Sequence, residues 1–330
     1  MVNVPLLSII TPTLNNGKVL EYFLESIRNQ HYPQEKIEIL ILDGGSTDDT
    51  LQIARKYSAK TYFNEKVLAD PGVALGLAKA TGDIMMILAV DNIYEDKDAF
   101  NTIAKVFQDP TIYAAFPKHA SYTTSGIFTK YINTFTDPFN HFVYGDAANA
   151  RTFHKVFKTL KHADSYEVYD FHSSQSRPMI AFAQGFVVRN GYMRAEQDSF
   201  DDVAPVISLI QQNKQIAFMY GLSLYHDTVR DLNHFIRKQK WATVNAVNGT
   251  SYGIAHRKDR LSRWQRFKIK IWPLYGLSIV APFIRSCYGL YSDREPLWLY
   301  HPIMCLISIY SSIISIIQLR AHSGQTINRQ

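Results

Sequence analysis

Two apolar runs in the N-terminal half each end abruptly in an acid, and they constrain the fold more than any other feature of the chain. Ile37-Glu38-Ile39-Leu40-Ile41-Leu42 runs into Asp43, and Ile84-Met85-Met86-Ile87-Leu88-Ala89-Val90 runs into Asp91-Asn92. A strand buried on both faces reads as such a run, and open α/β sheets bind ligands outside the carboxyl ends of their strands. Asp43 and Asp91 are therefore candidate ligands. The plain alternative is a strand end closed by an Asx-type turn.

The segments between these runs alternate in period. Leu6 to Thr11 reads as a first strand, and Val19, Leu20, Phe23, Leu24 and Ile27 recur at helical spacing over residues 17 to 30. Gly44-Gly45 turns the chain after Asp43, and Ser46 or Thr47 caps a helix reaching about Tyr57, with Asp48 and Asp49 in its first turn. A strand over 59 to 63 and a small-residue helix over 72 to 80 lead to the run ending at Asp91. The βαβαβαβ alternation implies a parallel, three-layer arrangement with right-handed crossovers. Further on, the spacing predicts a helix over 98–107, strands over 111–116, 181–189 and 216–220, and a helix marked by Val203, Val206, Ile207 and Ile210. His226 follows the last strand. Residues 117 to 178, rich in Tyr, Phe and His, are expected to supply loops and helices covering the sheet edge. His119, His141, His154, His162 and His172 lack metal-ligand spacing and read as surface or packing residues.

Several chemistries are disfavoured. The chain has neither Gly-x-Gly-x-x-Gly nor Gly-x-x-x-x-Gly-Lys-Ser/Thr, and no Gly-x-Ser-x-Gly elbow. Its two cysteines, Cys287 and Cys305, suggest neither a disulfide framework nor a zinc site. Acids at strand ends could instead grip a nucleoside's polar edge and a divalent cation, since Mg²⁺ or Mn²⁺ held by one or two carboxylates completes its shell with substrate phosphates. Asp198, Asp201 and Asp202 precede the helical pattern at 203. A helix start favours acids, but a cap needs only one, so the surplus points to a general base.

The net charge of +6 is concentrated late, in Arg257, Lys258, Arg260, Arg263, Arg266, Lys268 and Lys270. Leu261, Trp264, Phe267, Ile269 and Ile271 are interspersed with these bases, as in a helix lying at an anionic interface, so a membrane surface is favoured over nucleic acid. Residues 271 to 284 are apolar but carry Pro273 and Pro282, which suits a re-entrant or interfacial segment. Pro296 to Leu319 has no charged residue and is long enough to span a bilayer, though His301, Pro302, Gln318 and four serines argue against crossing. A buried hairpin or a homo-oligomer contact is the soluble alternative. The run Leu6 to Ile10 is too short for a signal-peptide core. The expected placement is the inner membrane of the cell, with the catalytic part in the cytoplasm.

Three stretches together resemble glycosyltransferase family 2: Ser8-Ile9-Ile10-Thr11-Pro12-Thr13-Leu14-Asn15, then Ile41-Leu42-Asp43-Gly44-Gly45-Ser46-Thr47-Asp48-Asp49-Thr50, then Ala80-Thr81-Gly82-Asp83 running into Leu88-Ala89-Val90-Asp91-Asn92. Gln184-Gly185, the Asp201-Asp202 pair, and His226 followed by Phe235 to Trp241 are weaker parts of the same likeness. The resemblance implies a GT-A (Rossmann-like) α/β fold, with a mostly parallel central sheet flanked by helices and a C-terminal helical membrane-associated region. It implies a catalytic domain over 1–245 and a membrane-association region over 246–330. Thr11 and Pro12 would shape the nucleotide pocket, Asp43 would bind the base, and Asp91 would hold Mg²⁺ or Mn²⁺ on the donor diphosphate, with help from His226. Arg237 and Lys238 would face the diphosphate. Asp202, with Asp201 as its rival, would be the base of an inverting transfer. The family pattern usually has Asp-x-Asp where this chain has Ala89-Val90-Asp91. The implied donor is a UDP- or GDP-linked sugar. The implied acceptor is a lipid-linked glycan of a cell-surface polysaccharide, or alternatively a polyprenyl phosphate. A non-catalytic nucleotide-sugar-binding protein is the remaining alternative.

Overall fold

The structure is a computed structural model and describes residues 4–179, 185–194, 201–248, 254 and 257–321. Gln184, the rest of the 181–184 segment and Asp198 lie outside the described residues. The chain forms two compact units: residues 1–120, 157–173 and 180–226 make the first, and residues 121–156, 174–179 and 227–330 the second. Within the second unit, residues 121–156 pack with the C-terminal helices, through Tyr131 and Phe135 against Trp298 and Phe142 against Trp272.

Among the described residues the ten strands all belong to the first unit: β1 (Leu7–Thr13), β2 (Ile37–Asp43), β3 (Lys60–Phe63), β4 (Ile84–Ile87), β5 (Asn92–Ile93), β6 (Ile112–Ala120), β7 (Thr159–His162), β8 (Glu167–Tyr169), β9 (Phe186–Arg189) and β10 (Gln215–His226). Their order is β3-β2-β1-β4-β9-β6-β10-β8-β7, with β5 pairing β10. β1 to β4 are parallel, as the alternation requires. β9 then runs antiparallel to β4 and β6, so the complete sheet is mixed. The helices Gly17–Arg28 and Ala99–Val106 bury Leu20, Phe23, Leu24, Phe100 and Ile103 against Leu7, Ile9, Met86 and Val187 of the sheet.

Much of the third motif turns out to be architecture. Glu38 on β2 accepts from Thr81 N and Thr81 Oγ1, both at 2.9 Å, from Lys60 Nζ at 2.6 Å, and from Ser8 Oγ. Gly82 N donates to Ser8 Oγ at 2.8 Å, and a Cβ at Gly82 would lie 2.8 Å from the Leu6 carbonyl oxygen. Asp83 accepts from Leu6 N at 2.8 Å. Burial alone would push the Glu38 carboxyl up; the hydrogen bonds from Lys60, Ser8 and Thr81 outweigh it and hold the group at about 2. Thr81, Gly82 and Asp83 thus bolt the start of β4 to β1 and β2, at the opposite ends of these strands from Asp43 and Asp91.

The second unit is helical: Ile127–Phe135, Pro138–Tyr144, Leu232–Asn248, Arg263–Leu277, Val280–Asp293 and His301–Ala321. Its centre is Trp298, 1% exposed, whose ring lies 4.4 Å from Phe135 and under the Arg285 guanidinium at 4.2 Å. Gly289 gives the indole its space, since a Cβ there would sit 2.1 Å from the ring. The helix Arg263–Leu277 continues through Pro273, and the break falls later, at Ile279, which holds φ +53° and starts a bend of 97° into Val280–Asp293. A β-branched residue in the left-handed region is strained. Leu274, Leu277, Ile279, Val280, Phe283 and Ile284 around this elbow are all exposed.

Among the described residues one helical stretch, Pro296–Arg320, is long and apolar enough to cross a membrane. Its serines serve packing. Ser308 Oγ donates to Gln239 Oε1 at 2.7 Å, and Ser312 and Thr243 share a hydrogen bond at 2.9 Å, so one face lies on the helix Leu232–Asn248. Ile303, Tyr310, Ile314 and Ile317 are exposed.

Candidate active site

The parallel strands carry Thr11 to Thr13, Asp43 and the Asp91 turn to one edge of the sheet, because β2 and β4 flank β1 with their carboxyl ends aligned. Thr13 stands opposite Asp43 in the register. Thr11 is fully buried, and its Oγ1 has no hydrogen-bond partner among the described residues. Pro12 is half-buried against Gly72, where a Cβ would come within 3.0 Å of the ring.

Asp43 organises its own loop. Its Oδ2 accepts from Gly45 N and Ser46 N at 3.0 Å each, and its Oδ1 from Ser46 Oγ at 2.5 Å. Gly45 sits at φ +95°, which glycine tolerates without strain. Asn15 Oδ1 accepts from Thr47 N at 2.8 Å, and Asp48 Oδ2 from Gly17 N at 3.1 Å. The acids and amides of the first two motifs therefore stitch the β1 loop to the β2 loop.

Asp91 is presented by a turn that Asn92 closes. Leu88 N donates to Ile10 O at 3.1 Å, keeping the chain beside β1. Ala89 N then donates to Asn92 Oδ1, and Asn92 N to Ala89 O, both at 3.0 Å. Asn92 is buried, while the Asp91 side chain stays 38% exposed. His226 is the last residue of β10 instead of following the strand, because β10 runs twelve residues and its end pairs with β5. His226 stands opposite Asn92 in that pairing, and its Nε2 lies 3.1 Å from Asp91 Oδ2. The two residues proposed as metal ligands are thus brought together.

Among the described residues no group of three or more His, Cys, Asp or Glu side chains is placed to hold a metal ion. The Asp91–His226 pair nevertheless fits one. Adjacent ligands on an octahedral cation with bonds of about 2.1 Å stand roughly 3 Å apart, and Mg²⁺-type sites draw the rest of their shell from phosphates and water. Asp91 Oδ2 and His226 Nε2 have that separation. Two protein ligands suit a cation that arrives with a diphosphate.

The acid pair resolves into unequal partners. Asp201 is buried, and its Oδ1 accepts from Val203 N at 2.7 Å and Ala204 N at 3.0 Å, capping the helix Ala204–Gln211. Asp202 is half-buried at the start of that helix. Arg194, which no local motif singles out, donates to the Asp201 carbonyl oxygen and reaches Asp70 Oδ1 at 3.2 Å. It ties the acid pair to the helix Ala69–Lys79. Gly185, at φ +79°, lies where a Cβ would meet Leu224 at 2.5 Å, so its place is structural too. Arg237 and Lys238 fall in the second unit, on Leu232–Asn248. Arg237 is exposed, and Lys238 Nζ bonds Thr228 Oγ1 at 2.9 Å and Thr228 O at 3.1 Å.

Residues 8–167 match the family model described as glycosyl transferase family 2. Over 109 residues the chain is 35% identical to the dolichyl N-acetyl-alpha-D-glucosaminyl phosphate 3-beta-D-2,3-diacetamido-2,3-dideoxy-beta-D-glucuronosyltransferase of Methanococcus voltae, a match covering 31% of this chain and 34% of that protein. It is 31% identical over 103 residues to the poly(ribitol-phosphate) beta-N-acetylglucosaminyltransferase TarS of Staphylococcus aureus, covering 29% of this chain and 18% of that one. The matches thus span about a third, or less, of the length of these curated relatives. In fold, the chain is similar to the mannosyltransferase PcManGT of Pyrobaculum calidifontis, solved with GDP-Man and Mn²⁺, at a TM-score of 0.53 and 14% identity over 96% of this chain and 88% of that one. The stretch that carries Asp43, the Asp91 turn and the sheet edge between them is thus the part that matches glycosyl transferase family 2, a family of enzymes, and the fold around it is a GT-A-like α/β fold.

Proposed function

We propose that this protein transfers a sugar, with inversion, from a UDP- or GDP-linked donor to a lipid-linked glycan acceptor in cell-surface glycan biosynthesis. The observation that carries the reading is the Asp91–His226 pair, two distant residues held 3.1 Å apart where strands β1, β2 and β4 end. Asp91 and His226 would hold Mg²⁺ or Mn²⁺, which would offset the charge growing on the departing diphosphate. Asp43 and the β1 loop would seat the nucleoside. Asp202 takes the proton of the acceptor hydroxyl as its oxygen bonds to the anomeric carbon; the bond to the nucleoside diphosphate breaks on the opposite face. Asp201 supports this assignment by being committed to the helix cap. Replacing Asp202 by Asn tests it: donor-dependent transfer is expected to collapse while donor binding persists, and full activity would remove Asp202 from the role. The single carboxylate in the Ala89–Asn92 turn favours one other reading, a protein that binds nucleotide sugars without transferring them; sustained donor binding with no turnover on any acceptor would select it.

Membrane association is part of the proposal. The helical stretch Pro296–Arg320 and the apolar elbow at Ile279 support it. The stretch is read as lying in the interface instead of crossing, since the helix packed along it carries Arg237, Lys238 and Lys240. The catalytic unit would face the cytoplasm. Fractionating cells that express the full chain tests this; recovery in the soluble fraction at low salt without detergent would overturn it. Incubating the sedimented membranes with a panel of radiolabelled nucleotide sugars, then extracting lipid, reports donor and acceptor class together.

A further inference from the structure

The second unit holds a half-open cavity of about 1030 Å³ that contains none of the residues assigned to the transfer. It is lined from five separate stretches of chain, around Tyr144, Val156, Arg177, Lys268 and Arg285. Four bases face it, Arg177, Arg263, Lys268 and Arg285, against one acid, Asp146. Asp146 is already engaged, accepting from Arg285 Nη2 at 3.0 Å. Arg285 Nη1 is buried with no hydrogen-bond partner among the described residues. Lys268 makes no hydrogen bond or ion pair among them either; its Nζ lies 5.7 Å from the Phe142 ring and 5.9 Å from Trp264. Burial first, then the nearby Arg285 charge, holds the Lys268 ammonium below its ordinary range. Two half-buried cations sharing one carboxylate leave a net positive charge in a space that lacks water's full screening, a standing cost that an entering anion removes.

We infer that this cavity is a binding site for the phosphate of a membrane-lipid headgroup, gripped by Lys268 and Arg285. The surroundings favour a lipid over a free phosphate. Trp264 and Tyr288, which line the cavity, are 61% and 59% exposed, and Phe267, Phe283 and Ile284 continue the apolar surface along the same two helices. Acyl or prenyl chains would lie on that surface while the phosphate enters among the bases. The inference rests on the membrane placement proposed above, but on neither the donor nor the acceptor of the transfer.

Sedimentation of the full chain with phosphatidylcholine vesicles, with and without phosphatidic acid, tests it. Lys270 is exposed on the same helix, outside the cavity, and serves as the control. Lys270→Gln is expected to cost about five-fold in affinity for the acidic vesicles, the worth of one surface base. Lys268→Gln is expected to cost roughly thirty-fold or more, as for a charge paired directly with its ligand. Lys268→Arg should restore most of the binding, and all variants should keep the wild-type circular dichroism. If Lys268→Gln misfolds, the Lys268→Arg variant and titration of the wild type with glycerol phosphate carry the test. Equal losses for Lys268→Gln and Lys270→Gln would overturn the site while leaving membrane placement standing. Displacement of the vesicles by inorganic phosphate at concentrations below that of accessible lipid would overturn the lipid assignment. Failure of the wild type to bind either vesicle would overturn both.

Discussion

The two units place their charged side chains in different ways. In the first unit Asp43 ends β2 and Asp91 lies in the turn after β4, so backbone register brings both to one edge and side chains such as Asn92 then close the turns. In the second unit the bases are set among aromatic rings by helix packing, and Arg285 is fixed by Trp298, Tyr288 and Asp146 at once. A sheet edge is a property of backbone order; a helical pocket is a property of its packing. The first should tolerate changes in side-chain volume at its edge but lose chemistry with one carboxylate, while the second should be lost through steric changes far from its bases.

The largest expected effect breaks the first unit's chemistry alone. Asp202→Asn should lower turnover by about 10²- to 10⁴-fold, the usual worth of a general base, with donor affinity kept. Single-turnover kinetics and calorimetric titration would separate the two. Asp91→Ala should come next, lowering donor affinity in Mn²⁺ by at least about ten-fold, on the scale of lost metal contacts, with a smaller loss in its absence. Equal affinity with and without Mn²⁺ in the wild type would count against the cation site. A steric pair sharpens the contrast between the units. Gly289→Ala forces a methyl into the Trp298 ring, and Gly82→Ala forces one against Ser8 Oγ at 2.5 Å and the Leu6 carbonyl. Each should cost about 1–3 kcal/mol by overpacking, measured by denaturant melts. Gly289→Ala should also weaken acidic-vesicle binding, and Gly82→Ala should not.

The smallest effect is a pH dependence. Glu38 is held at about 2 in the folded chain, below its ordinary 4.5. A depressed carboxyl contributes stability that is complete above the unfolded value and is lost as pH falls through the folded one. Glu38→Gln should therefore be less stable than wild type at pH 7, by about 1 kcal/mol given the exposure of Lys60, and the gap should close between pH 5 and 2. A gap independent of pH would remove the charge of Glu38 from the account.

These effects map onto what could be read from the chain. The strand end at Asp43 was legible because a buried parallel strand leaves an unbroken apolar run, and Gly17–Arg28 because its apolar positions recur at 3.6 residues; the run before Asp91 was also apolar, but its strand stops at Ile87 and Asp91 lies in the turn that follows. The 181–189 segment gave the strand but not its direction, since periodicity is blind to whether β9 runs with or against β4. His226 was legible as a candidate; that β10 runs on to place it opposite Asn92 was not, because Gly221 interrupts the run that begins at Ile216. Arg194 and the cavity bases were invisible for another reason. Each gains its meaning from partners far away in the chain, Asp70 for Arg194 and Asp146 for Arg285, and no local spacing records such partners.

Each unit is assembled from three separated stretches of chain, and this decides how the protein can be made and inherited. On the ribosome, residues 121–156 emerge carrying Tyr131, Phe135, Val143 and Tyr144, but the helices that bury them follow only after residue 227. At roughly 5–20 residues per second that leaves an apolar segment waiting on the order of ten seconds, a window for chaperones or for an early meeting with the bilayer. Genetic exchange meets the same knot. No single crossover can graft one unit onto another gene intact, so the sheet unit and the helical unit must be passed on together.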